Sequence, residues 1–471
     1  MPVNAEHIHL MGIGGTGMAA LAGMLQEAGF TISGSDQKVY PPMSDYLAAL
    51  EIKVQEGYSP HNLEPEPQLV VVGNVIRADN PEALALARKA IPYLSFPQAL
   101  NHYFLQNRRS LVVAGTHGKT TTSSLLATML DEVGLEPGFM IGGIVQAFQR
   151  SSRRGRGEYF VCEGDEYDTA FFDKGPKFLH YKPEICILTS VEFDHADIYA
   201  DFAAVKASFA ELIRIIPENG LLIACQDDPV VAELCRQARC PVVSYGEEKK
   251  SIWRVGKIDV SPGATSFYVE KNFRRYGSFT SRMPGRHNAL NALAVVALMD
   301  HLGVAREKIA SALYNFAGVR RRQEVRGEVR GITVIDDFAH HPTAVRETLN
   351  ALRAAYPGRR LLAVFEPRTN SSRRRVFQQA YVTSFDAADR VLIREPEGLE
   401  AVPFEERFSV RQLTDDLGER GKEARAFADP TEIIEELKES TRPGDVVAIL
   451  SNGGFDDIHQ RLLQALGCKQ G

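Results

Sequence analysis

In GTHGKTT, Gly115 and Gly118 let the backbone turn its N–H groups toward an oxyanion, and Lys119 supplies a point charge for terminal phosphates. Thr120 follows the lysine, where a P-loop hydroxyl reaches Mg2+, although Val113 stands where the first glycine of a standard G-x-x-x-x-G-K-[ST] loop would be. Thr116, His117 and Thr121 complete this candidate nucleotide cradle. A plain glycine turn with a surface lysine is the competing reading; the order strand, loop, helix favours phosphate. A second loop, GIGGTG, carries Gly12, Gly14, Gly15, Thr16 and Gly17 without a lysine, and leads to a strand ending at Ser35 and Asp36, where a ribose-binding acid belongs. It fits a nicotinamide cofactor, a second nucleotide diphosphate, or tight packing of strand on helix. Two acidic clusters follow. VCEGDEYD places Glu163, Asp165 and Glu166 at one strand end, and EFDHAD places Asp194, His195 and Asp197 at the next. Carboxylates suit Mg2+, and an imidazole suits a less oxygen-rich coordination shell. Any one of these acids alone reads as solvated surface, but two clusters beside a phosphate loop read as metal or phosphate chemistry.

The elements that must position these groups alternate between strand and helix nearly throughout. HIHLMGI, FTISGSD, LVVVGN and IPYLS read as parallel strands of a wound α/β sheet, with a helix over 82–90 and another over 99–106. SLVVAG, YFVCEGDE, EICILTS and GLLIAC form a second set, closed by the helical HNALNALAVVALMDHLG and a helix up to Ala317. After the cluster Arg320, Arg321 and Arg322, RGITVIDDFAH opens a third set with RLLAVFEP, DRVLIRE and DVVAILSNGG. The basic stretch QRSSRRGRGEY, 149–159, reads as a mobile, solvated surface turn. A chain of 471 residues is too long for one core, and its net charge of -6, with 44% hydrophobic and 24% charged residues, gives no reason to expect nucleic acid or an anionic membrane as partner. The N-terminal stretch lacks a secretory pattern and no window approaches a membrane span, so a cytoplasmic protein is expected. The cysteines Cys162, Cys186, Cys225, Cys235, Cys240 and Cys468 show no zinc spacing and read as core or surface thiols.

GTHGKTT, the glutamate of VCEGDE, the DH of EFDHAD, GRHNALNALA, the arginines before QE, and DDFAHHP resemble the successive signatures of the Mur ligases, ATP-dependent enzymes of peptidoglycan synthesis. The resemblance covers the whole chain. It implies an α/β fold of three domains: a Rossmann-like domain for UDP-N-acetylmuramate over 1–108, a central P-loop ATPase domain over 109–319, and a C-terminal Rossmann-like domain for the amino substrate over 320–471. The first cradle would then hold the UDP diphosphate and the second ATP. Lys119 would serve the phosphates, Thr120 and Glu163 a Mg2+, and His195 a second Mg2+. Arg322 and Asp337 would approach from the third domain as it closes; His287, Asn288 and Asn291 would contact adenine or ribose. His340 matches the family's nucleotide-site histidine, and His341 beside it reads as structural.

Within the family, GIGGTGM and DDFAHHP resemble the members that take UDP-N-acetylmuramate itself as acyl donor. VYPPMS, EYDTAFFDKGPKFLHYKP, EFDHADIY, FEPRTNS and LSNGGF resemble the branch whose amine is the murein tripeptide, L-alanyl-γ-D-glutamyl-meso-diaminopimelate; free L-alanine is the alternative. Arg368, Asn370 and Asn452 are the candidate tripeptide contacts, with a turn role as the competing reading. There are departures. Ser190 replaces the family asparagine, which puts the contacts of the second metal in doubt, and Ala210 falls where some members carry a carbamoylated lysine. The D-N-P-R motif that grips diaminopimelate in the tripeptide-forming ligase is absent. Two other classes remain open at this level: a nicotinamide oxidoreductase, which leaves Lys119, Glu163 and His195 without work, and a P-loop regulatory protein, which explains GTHGKTT alone.

Overall fold

The computed structural model describes residues 7–467, so Cys468 lies outside the described residues. The chain divides into two compact units, Met1–Glu192 with Phe202–Ser251 and Ala294–Lys308, and Phe193–Asp201 with Ile252–Leu293 and Ile309–Gly471.

The first unit holds two large sheets and the small antiparallel pair Asp168–Ala170 with Asp173–Pro176. One is five parallel strands in the order Lys53–Glu56, Thr31–Asp36, His7–Met11, Leu69–Val72, Tyr93–Ser95. His7–Met11 lies where the strand order reverses, so the loop 12–17 leaves the sheet at the crevice in which α/β proteins bind ligands. In the other sheet, Arg109–Ala114 runs parallel between Ile185–Leu188 and Tyr159–Gly164, with Ala114 opposite both Leu188 and Gly164. Three neighbouring strand ends therefore converge: one feeds the loop of Gly115 to Lys119, one ends at Glu163 and Gly164, and one leads to Thr189 and Ser190.

Helix starts differ in how their first amides are met. The helices Pro81–Lys89, Phe96–Leu100 and Pro229–Leu234 are capped by the side chains of Asn80, Ser95 and Asp228. Thr16–Glu27 and Lys119–Glu132 instead begin after Gly15 and Gly118, without a side-chain cap and with no acid in the first turn. Neither start spends a cap side chain on its first amides, and a helix start of this kind suits an anion.

In the second unit, a six-stranded sheet runs in the order Glu324–Val329, Ile332–Asp337, Val446–Leu450, Leu361–Phe365, Arg390–Arg394, Glu423–Phe427. Only the first pair is antiparallel. The four inner strands are buried on both faces, as a covered parallel sheet requires, while the edge strands Glu324–Val329 and Glu423–Phe427 are polar and partly exposed. Leu361, Ala363 and Phe365 pack with the helices Pro342–Ala355 and Val410–Glu419, while Leu362 and Val364 pack with Pro430–Ser440 and Ile458–Gly467. The antiparallel strands Trp253–Ser261, Ala264–Lys271 and Arg274–Ser281 form a meander that the α/β reading of the sequence omitted.

The basic stretch 149–159 is corrected. Arg150–Arg153 is a strand paired antiparallel with Gly138–Val145, and Arg153 is pinned to Asp131 at 2.7 Å and stacked on Phe148. Aromatic and acidic neighbours distant in sequence turn the expected mobile loop into sheet. The helix expected up to Ala317 ends as Arg306–Asn315. Among the described residues no helix is long and apolar enough to cross a membrane.

Candidate active site

The loop at Lys119 is built from below by the neighbouring strand. Thr116 N–H donates to the Ser190 carbonyl at 2.9 Å and His117 N–H to Ser190 Oγ at 3.0 Å, while Thr189 Oγ1 donates to the His117 carbonyl at 2.5 Å. Ser190, whose place in the family pattern raised a doubt about metal contacts, thus holds the phosphate loop. Gly115 adopts φ +132°, and a Cβ there would meet Thr189 Oγ1 at 2.2 Å and the Ser190 backbone nitrogen at 2.9 Å. Only glycine lets the loop lie this close.

Lys119 Nζ donates to the Gly115 carbonyl at 2.7 Å and to Glu166 Oε2 at 2.8 Å, with side chains only 12% and 3% exposed. Burial works against the ammonium, but Glu166 and Asp165 outweigh it, and Lys119 is held above its ordinary value. Thr120 Oγ1 donates to Glu163 Oε1 at 2.7 Å, and Gly142 N–H donates to Glu163 Oε2 at 2.7 Å. Burial and then the Asp165 charge push the Glu163 carboxyl up, against these hydrogen bonds and Lys119. A carboxylate kept short of compensation beside a hydroxyl is a donor set of hard oxygens that fits a divalent cation such as Mg2+. Thr121 is buried in the helix's first turn. The acidic cluster pointed to Glu166 but not to its pairing with Lys119, and Gly142 belongs to no motif; both roles come from strand order, which brings Tyr159–Gly164 between Arg109–Ala114 and Gly138–Val145.

The first loop closes on itself. Gly14 N–H donates to Asp36 Oδ2 at 2.8 Å, and the N–H groups of Gly12 and Ile13 donate to the Ser35 carbonyl at 2.8 and 3.1 Å. Gly15, Thr16 and Gly17 are exposed at the helix start. Ser35, expected to contact ligand, has a fully buried side chain, and its hydroxyl donates to Glu82 Oε1 at 2.8 Å, an oxygen shared with His9 Nε2 at 2.8 Å.

The second unit gathers another group. Asp194 lies among His195, His340 and His341; burial opposes its charge, but the three imidazoles outweigh burial and hold its carboxyl well below the usual carboxylate range. His341 Nδ1 accepts from Thr343 N–H at 3.3 Å and caps the helix Pro342–Ala355, which leaves the proton on Nε2, 3.2 Å from the Phe193 carbonyl. His340 Nδ1 lies 3.1 Å from the Phe338 carbonyl, and Arg322 stacks on the Phe338 ring at 4.7 Å.

Asp337, expected among the catalytic groups, is held by three donors. It is buried, with Oδ1 accepting from Ala339 N–H at 2.8 Å and Thr348 Oγ1 at 3.2 Å, and Oδ2 accepting from Gln323 N–H at 2.8 Å. Burial pushes its carboxyl up, against Arg322 and these donors. Asn288 and Asn291 are buried; the Asn288 amide donates to the Pro284 carbonyl at 2.8 Å, and Asn291 donates to Asn288 Oδ1 at 3.4 Å. His287 Nε2 lies 3.5 Å from Gln323 Nε2.

Of the candidate tripeptide contacts, Asn370 is exposed and has both ends of its amide engaged: Nδ2 donates to Asp197 Oδ2 at 2.8 Å and Oδ1 accepts from Arg373 at 2.7 Å. Arg368 is exposed and lies against Gly453, where a Cβ would meet its guanidinium at 1.9 Å. Asn452 Oδ1 is buried without a hydrogen-bond partner.

Residues 7–108 match the Mur ligase family catalytic domain, 113–299 the Mur ligase middle domain, and 321–453 the Mur ligase glutamate ligase domain. The chain belongs to the Mur ligase family. The Mur ligase from Escherichia coli named UDP-N-acetylmuramate–L-alanyl-γ-D-glutamyl-meso-2,6-diaminoheptandioate ligase is 39% identical over 98% of both chains. A UDP-N-acetylmuramate–L-alanine ligase from Anaeromyxobacter is 35% identical over 98% of this chain and 97% of its own. Among solved Mur ligases, the crystal structure of a murein peptide ligase from Psychrobacter arcticus superposes with a TM-score of 0.73 at 35% identity, covering 99% of each chain. The three-domain architecture of the family is therefore that of this chain.

Proposed function

We propose that this Mur ligase uses ATP to join the lactyl carboxylate of UDP-N-acetylmuramate to the amine of L-alanyl-γ-D-glutamyl-meso-diaminopimelate, releasing ADP and phosphate. The geometry that carries the reaction class is the set Lys119, Thr120 and Glu163 under an uncapped helix start: a buried cation, a hydroxyl and a carboxylate at one strand edge. A carboxylate is a poor acyl donor, and phosphorylation makes it one that an amine can attack. Charge on the transferring phosphoryl group must be met by preorganised cations and amides. Lys119 and the first amides of Lys119–Glu132 meet it here, and Thr120 and Glu163 would hold Mg2+. When bound, that ion would neutralise phosphate charge and polarise the phosphoryl oxygens.

The same reading gives the loop 12–17 to the UDP diphosphate, His195 to a second Mg2+, and Arg322, His340, His287, Asn288 and Asn291 to the nucleotide. The domain limits 1–108, 109–319 and 320–471 are supported by the matched spans 7–108, 113–299 and 321–453. The amine is chosen on the relative that is 39% identical and named for the tripeptide, against 35% for the relative named for L-alanine. ATP and a nucleotide sugar as substrates favour a cytoplasmic reaction. The test is an assay of purified protein with ATP, Mg2+, UDP-N-acetylmuramate and either amine, read by ADP release and product mass. A tripeptide adduct is expected. An L-alanine adduct alone would move the protein to the other branch, and no ADP with either amine would overturn the ligase reading.

A further inference from the structure

Lys177 opens the short helical turn Lys177–Tyr181 and is only 9% exposed. Its ammonium lies 4.0 Å from the centre of the Tyr167 ring and 5.8 Å from that of Phe96. Among the described residues it makes no ion pair and no hydrogen bond through Nζ, in contrast to the similarly buried Lys119, which is paired with Glu166 at 2.8 Å. Its nearest acids are engaged elsewhere: Asp165 Oδ2 accepts from Tyr167 OH at 2.8 Å, and Asp168 Oδ2 pairs with Lys174 at 2.9 Å. Aromatic faces compensate a desolvated cation only in part. Burial accordingly holds the ammonium below the ordinary lysine value despite Asp165 and Asp168. Nζ is nevertheless not sealed from solvent.

Its position matters as much as its charge. The Phe96 ring lies 3.5 Å from where a Cβ on Gly17 would stand, at the end of the first glycine loop. The backbone of the turn is tied to the acidic strand end, Lys177 N–H donating to the Tyr167 carbonyl at 3.2 Å and Phe178 N–H to the Asp165 carbonyl at 3.3 Å. Lys177 thus stands between the loop assigned to the UDP diphosphate and the carboxylates beside Lys119. A carboxylate that is carried on a nucleotide sugar and phosphorylated by ATP must lie within reach of both.

We propose that Lys177 receives the lactyl carboxylate of the acyl donor and holds it for phosphorylation. The proposal rests on the assignment of UDP-N-acetylmuramate to the first loop. UDP-N-acetylglucosamine lacks the lactyl ether and is otherwise the same ligand, so titration calorimetry with both nucleotide sugars separates a carboxylate contact from a contact with the diphosphate or a packing role. Lys177→Met keeps the apolar stem, and Lys177→Gln serves as a second variant. Expected is a loss of about tenfold to a hundredfold in affinity for UDP-N-acetylmuramate, the size of one charge-assisted contact, with affinity for UDP-N-acetylglucosamine unchanged and substantial recovery in Lys177→Arg. Equal loss for both ligands, no loss, or unfolding of both neutral variants would overturn the proposal. If the unaltered protein binds neither nucleotide sugar, the first-loop assignment is itself overturned and the proposal falls with it, a result distinct from equal loss.

Discussion

Lys119 and Glu166 form a buried pair, so removing the lysine does two separable things. It takes a cation from the phosphates, and it strands a carboxylate that is 3% exposed. Lys119→Met should lower phosphate release about a thousandfold and lower stability by about 3 kcal/mol, read by a phosphate assay and by denaturant unfolding. Adding Glu166→Gln should restore most of the stability without restoring turnover; recovery of both together would mean that Lys119 only braces Glu166. Glu163 gives a pH prediction. An acid whose folded value is raised above its unfolded one binds its proton more tightly in the native state, so stability falls as pH climbs from the ordinary 4.5 through the raised folded value. Glu163→Gln should show a smaller fall over that interval and the same slope below it. Mg2+ binding near the raised value should release a proton from the unaltered protein and less from the variant, measured by calorimetry in buffers of different ionisation enthalpy.

At the scale of elements, the phosphate loop owes its shape to the strand beside it. Ser190 accepts from two loop amides, one through its hydroxyl and one through its carbonyl, and only the first is lost in Ser190→Ala. That variant should lose about 1 kcal/mol and show an ATP Michaelis constant raised about fivefold to tenfold, with the constant for UDP-N-acetylmuramate unchanged. A uniform rise in both would place Ser190 in general packing instead. Gly115→Ala should be far more severe, because the new methyl would meet both Thr189 and the Ser190 backbone. The segment Phe193–Asp201 shows a related dependence: Ala196 N–H donates to Ser371 Oγ at 3.2 Å and Asn370 to Asp197 at 2.8 Å. The stretch FEPRTNSS therefore holds the loop of His195, a task its resemblance to a substrate-specific motif did not disclose.

At the scale of the molecule, the choice of amine is the property that separates this chain's reading from its nearest alternative. A single alanine needs room for one methyl group and one carboxylate, whereas the tripeptide brings three carboxylates and a distal amine. Arg368, exposed beside Gly453, can pair a carboxylate bidentately. The tripeptide should be ligated with a kcat/KM at least a hundredfold above that for L-alanine, corresponding to about 3 kcal/mol of added recognition. Arg368→Ala should raise the Michaelis constant for the tripeptide more than that for ATP. Equal changes, accompanied by a lower melting temperature, would show that Arg368 only supports its loop.

What could be read from the amino-acid order was whatever depends on neighbours along the chain. The strand-loop-helix order around Gly115 and Lys119, the apolar strands from Leu361 and Val446, and the placing of Glu163 at a strand end all follow from local periodicity and glycine spacing. The signatures in order then led to the family. Tertiary structure alone decided which side chains meet. Glu166 reaches Lys119, and Gly142 reaches Glu163, because Tyr159–Gly164 lies between Arg109–Ala114 and Gly138–Val145, an order that no spacing encodes. Ser35 and Asn370 are the right residue types in the right loops for ligand contacts, and both are spent on partners distant in sequence, Glu82 and Asp197. Lys177, which no motif singled out, is a buried cation without an ion pair because Phe96 and Tyr167 lie against its ammonium. Burial and partner choice are set by the packing of distant segments, and the free energy of a charge depends on both.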